Sequence, residues 1–102
     1  MPGDRRHPSP SHRLEQPRHR LRGRRKFDEA IAVSEHAVRL FTETADAFRT
    51  GQALGELAVT LAESGASPAD VRATLLRAAD AYEQAGAADE AAGARAEADK
   101  ST

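Results

Sequence analysis

From Phe27 onward, apolar and small side chains recur at intervals of three and four. Phe27, Ala30, Ile31, Ser34, Ala37, Val38 and Phe41 form one stripe, and Val33, Ala37 and Leu40 a second, which predicts a helix over about 27–44 covered on two sides. Glu35 precedes Arg39 by one turn and marks an exposed face. A second helix is predicted over roughly 46–64, with Leu54, Leu57 and Leu61 as its large stripe and Gly51, Gly55, Ala58 and Ala62 as a small one beside it. Glycine inside a helix costs about 1 kcal/mol against alanine, so the small stripe predicts a neighbouring helix at close range. A third helix carries Val71, Leu75, Ala78 and Tyr82 and stops at Gly86. The fourth, about 88–100, has no apolar side chain larger than alanine, which predicts a thin, weakly held cap.

The junctions are written in residues with a local physical role. Gly65 suits a left-handed cap. Ser67 suits the N-cap, Pro68 the first helical position, and Asp70 the positive first turn.

Composition sharpens this picture in two respects. The 22 alanines favour helix, and no run alternates with period two, so no strand is expected. Charge divides the chain: residues 1–26 hold nine basic and two acidic side chains, whereas 27–102 hold six and fourteen. The first segment also has four of the five prolines and too few apolar residues to offset the entropy of ordering. The expected organisation is a disordered basic Pro/Arg-rich arm over 1–22, with a weak helix through Leu14–Leu21 as its only regular feature, followed by a helical domain over 23–102.

Candidate chemistry is sparse. Cysteine is absent, which removes disulfides, zinc thiolates and thiol nucleophiles. His7, His12 and His19 are irregularly spaced on the arm and preorganise no metal site. His36 and Glu35 are adjacent, so on a helix they diverge and form no dyad. No metalloprotease, phosphate-loop, dinucleotide or nucleophile-elbow motif occurs. The expectation is a chain with no catalytic residues, no metal and no cofactor. No apolar run approaches a membrane span and no export signal follows Arg5-Arg6, which leads to an expected cytoplasmic location without a membrane partner.

The chain also echoes itself. Gly23 precedes Asp28-Glu29-Ala30, and Gly86 precedes Asp89-Glu90-Ala91. Shifting the chain by 41 residues lays Ala37 on Ala78 and Phe41 on Tyr82, with "AVRLFTETAD" over "AADAYEQAGA". Helix–turn–helix units of this period are characteristic of α-solenoids. An ordinary Ala-rich hairpin or three-helix bundle, with accidental self-similarity, is the competing reading.

These residues resemble tetratricopeptide repeats of the long-period variety, over about 23–98. "KFDEAIAVSEHAVRLF" looks like the second helix of such a repeat and "ALGELAVTLAESG" like the first helix of the next. Leu54 stands at the wedge position, Leu57-Ala58 replace the usual Leu-Gly, and Leu61 replaces an aromatic. The usual Trp and Gly are missing, the interhelix stretch Thr42–Thr50 is long, and Val71 stands where a small residue is usual. The resemblance implies an all-α fold of antiparallel hairpins stacked as a short α-solenoid, with three main helices and a weak C-terminal one. It implies a non-enzymatic protein–protein interaction module holding a peptide or partner helix in its concave groove. Carried over, the groove positions are Gln52, Gly55, Val59, Ala62 and Glu63, set against the alternative of a solvated face without ligand.

Two further expectations come from the residues themselves. A solenoid end needs a cap, and the helix before Phe27 is expected to be missing. Phe27, Ile31, Val38 and Phe41 are therefore expected to include an uncovered interface, taken by a second copy (a homo-oligomer) or a larger protein. The arm could neutralise nucleic-acid phosphates, clamp back on the acidic body, or be an accidental leader of a truncated array. The first of these makes a nucleic-acid-associated protein the alternative function.

Overall fold

A computed structural model describes residues 8–101, with side chains from Gly23 to Ser101. All regular structure there is helical: α1 Pro8–Glu43, α2 Ala47–Ser64, α3 Pro68–Gln84 and α4 Ala88–Lys100, with no strand among the described residues. The main packing pairs neighbours along the chain, α1 on α2, α2 on α3 and α3 on α4.

α1 begins well before the expected 27. The arm expected over 1–22 falls on residues 1–7, outside the described part, and on the opening turns of α1, whose side chains also lie outside it. The other boundaries follow local chemistry. The Asp46 carboxylate accepts a hydrogen bond from the Arg49 amide and caps α2. Gly65, at φ 88°, ends α2, and the Ser67 hydroxyl accepts from the Asp70 amide with Pro68 opening α3.

The 41-residue shift has a backbone counterpart. α1 and α3 end at Glu43 and Gln84, and α2 and α4 begin at Ala47 and Ala88, each pair 41 apart. Ala45 (φ 59°) and Gly86 (φ 77°) occupy the left-handed region at matching positions. Asp46 (φ −95°, ψ 82°) and Ala87 (φ −94°, ψ 77°) follow with one conformation. The Asp46 amide donates to the Phe41 carbonyl at 2.9 Å, and the Ala87 amide to the Tyr82 carbonyl at 2.8 Å. Asp28-Glu29-Ala30 does not share this correspondence. It lies inside α1, whereas Asp89-Glu90-Ala91 lies in the first turn of α4. That echo in the sequence marks no structural repeat.

The core is built largely of alanine. Val38, Ala53, Leu54, Leu57, Ala78, Ala79, Ala81 and Ala94 are buried together, with Ile31, Ala37, Phe41, Leu61 and Tyr82 packed against them. Two expectations need correction here. α4 is seated by buried Ala91, Ala94 and Ala98, because alanine faces let helices approach closely, and the described residues form four packed helices rather than three and a weak cap. The stripe of Phe27, Ile31, Val38 and Phe41 is not the open side of α1. Val38 is in the core, Ile31 and Phe41 pack on it, and Phe27 is half-buried. The open side carries Val33, 69% exposed, and Leu40, 46% exposed.

Candidate partner-binding groove

Two glycines of α2 that look alike in sequence do different things. A Cβ on Gly51 would come within 2.8 Å of the Tyr82 ring, so bare backbone there is what lets α3 close on α2. Phe48 meets the same ring edge-on, centroids 5.5 Å apart, a favoured aromatic geometry. A Cβ on Gly55 would meet nothing within 4 Å. The expectation that both glycines mark a helix contact therefore holds at Gly51 and fails at Gly55, where the missing side chain opens space.

That space is a groove of about 390 Å³ bounded by three helices. One wall is Gly55, Ala58, Val59 and Ala62 of α2, and α3 supplies Val71, Leu75, Ala78 and Tyr82. The far wall is Glu90, Gly93, Ala94, Glu97 and Ser101 of α4. Gly93, like Gly55, has open space where a Cβ would be, so bare backbone on both sides sets the width. Val59 is 57% exposed although it is branched and apolar, which costs hydration free energy unless something covers it.

Of the five positions expected to line this groove, Gly55, Val59 and Ala62 do so. Gln52 and Glu63 are exposed on α2 and take no part in the lining. The α4 wall is not visible in the sequence, where a helix with no apolar side chain larger than alanine predicts only a cap. Gly93 was the available signal: an interior helical glycine with no turn to make.

Electrostatically the groove is apolar at the base and acidic along the α4 rim. Burial pushes the Tyr82 phenol above its ordinary pKa of 10.0, and the Glu90 and Glu56 carboxylates add to this by opposing a second negative charge. Glu97 holds Lys100 at 3.3 Å on the surface. Arg95 ties α4 to α3 through Glu83 at 2.6 Å and Asp80 at 4.0 Å, on the outer side of the same helix pair. These half-exposed pairs orient α4 more than they stabilise it.

Among the described residues no three His, Cys, Asp or Glu side chains converge as metal ligands, and no helix is long and apolar enough to cross a membrane. Comparison with family models, curated proteins and solved structures returns no match for the chain.

Proposed function

We propose that the protein is a non-enzymatic, tetratricopeptide-like binding module whose α2–α4 groove takes a peptide or partner helix. The single observation that carries the reading is the groove: three helices leave an exposed Val59 beside Leu75, with bare glycines on both walls. Support for a short α-solenoid comes from the twin turns 41 residues apart and from packing that runs between sequence neighbours. The acidic rim of Glu90 and Glu97 favours a segment that pairs an apolar anchor with Lys or Arg.

The test is selection of helical and extended peptides from a display library on the full chain, followed by NMR titration. Val59, Leu75 and Gly93 should shift, and Gly55→Phe, which fills the groove, should weaken binding at least tenfold. Peptides that bind Gly55→Phe as well as the parent chain would exclude this groove. The net charge of +7 on residues 1–26 favours one other reading, nucleic-acid association. Salt-sensitive DNA binding that disappears on deleting 1–22, with no peptide selected, would establish that reading instead.

A further inference from the structure

The repeat makes each position of α1 comparable with one in α3. Val33, Ala37 and Leu40 correspond to Thr74, Ala78 and Ala81, all three of them buried. By helical spacing this stripe lies beside Tyr82, which meets Phe48 and Gly51 of α2. α3 thus has a helix seated on the face that α1 leaves open at Val33 and Leu40, its largest exposed apolar side chains, with Ala37 half-buried between them at the edge of the core.

The opposite end of the stack is built differently. α2 uses Phe48, Leu54 and Ala58 for packing, and α4 has Asp89, Arg95 and Asp99 at the matching positions. Carboxylates and a guanidinium there resist desolvation, so a second copy cannot add its α1 to α4 and extend the stack head to tail. The remaining apolar end is α1 itself.

We infer that two copies of the chain pair through this face, α1 against α1, antiparallel about a two-fold axis. The spacing is self-complementary. Val33 and Leu40 are seven residues apart, as are Ala30 and Ala37. A register that sets Val33 on Ala37 of the second copy therefore also sets Leu40 on Ala30 of the second copy, large on small throughout. The same register brings Lys26, on this face one turn beyond Ala30, level with Glu43 of the other copy, opposite charges at both ends of the contact. The stripe is short beside a standard interface, so the association is a reversible, micromolar one.

Sedimentation equilibrium of the full chain, from about 5 to about 500 µM, should show the mass rising from one chain to two, a range suited to a small interface. The double variant Val33→Arg/Leu40→Arg should stay at one chain throughout, with an unchanged helical circular dichroism spectrum. Val59→Arg, in the groove, should dimerise like the parent, which separates this inference from the proposed function. A parent chain that remains a monomer at the highest concentration overturns it, as does a double variant that still dimerises. The register has its own test, independent of those substitutions. Val33→Cys/Ala37→Cys should form a covalent dimer under mild oxidation, since the chain has no other cysteine, and failure to cross-link would refute the antiparallel pairing.

Discussion

The turn before α2 and the turn before α4 share a backbone but not a sequence. Thr44-Ala45-Asp46 enters α2 through an alanine at φ 59°, a conformation that costs an L-residue roughly 1 kcal/mol, and then caps the helix with Asp46. Ala85-Gly86-Ala87 has glycine at the left-handed position and no side-chain cap on α4. Each turn has one favourable residue where its twin has an unfavourable one. Conformation here is imposed by how consecutive helices must reverse and pack, and each local sequence satisfies it only in part. α1 and α3 differ in the same manner: one stripe, buried at Thr74 and Ala81, lies open at Val33 and Leu40.

The strongest way to break the equivalence is to charge both stripes. Ala81→Glu should cost about 3 kcal/mol or more in urea denaturation, because an unpaired carboxylate would enter the core. Leu40→Glu, its counterpart, should cost less than about 1 kcal/mol, since its site is solvated. Equal losses would mean that the two faces are equally covered.

Next in size is the glycine contact. Gly51→Val should lose about 2–3 kcal/mol in thermal or urea unfolding, as the new branches meet the Tyr82 ring. Ala92→Val, at the matching place on exposed α4, should lose only the helix-propensity difference of about 0.6 kcal/mol. A mild Gly51→Val would show that Tyr82 can move aside freely.

Exchanging the turn residues sharpens the comparison rather than breaking it. Ala87→Asp should add about 0.5–1 kcal/mol by capping α4 as Asp46 caps α2. Ala45→Gly should add a few tenths to about 1 kcal/mol by relieving the positive φ, and Gly86→Ala should lose about 1. Any reversal of these signs would argue that the twin turns are not equivalent.

The smallest effect is alkaline. Because Tyr82's pKa is raised in the folded chain, the unfolded chain releases that proton first as pH climbs past 10.0. The contribution is fully present below pH 10.0 and is lost as pH rises through the folded value. Tyr82→Phe should flatten that part of the stability profile, and an unchanged slope would place the titration elsewhere.

How far the sequence could be read follows from the same residues. Gly65, Ser67, Pro68 and Gly86 act within a few bonds of themselves, so the ends of α2 and α3 were legible. The start of α1 was not: the trailing unit has Gly65-Ala66-Ser67-Pro68 where α1 has Arg24-Arg25-Lys26-Phe27. With no cap or proline in that stretch, the helix runs on instead of breaking. In the groove, Gly55, Val59 and Ala62 could be placed from α2 alone. Glu90, Gly93 and Glu97 could not, because nothing in an alanine-rich helix says which partner it will lie beside.

The sequence by itself determined the helices and most of their punctuation, and offered a 41-residue self-alignment, because propensity, capping and spacing are local properties of the residues. Only the tertiary structure decided which stripe of α1 turned inward, why Gly51 is closed and Gly55 open, and that α4 forms a wall. Those outcomes depend on the angle and distance at which helices meet, and alanine, which fits almost any helix contact, leaves both unspecified.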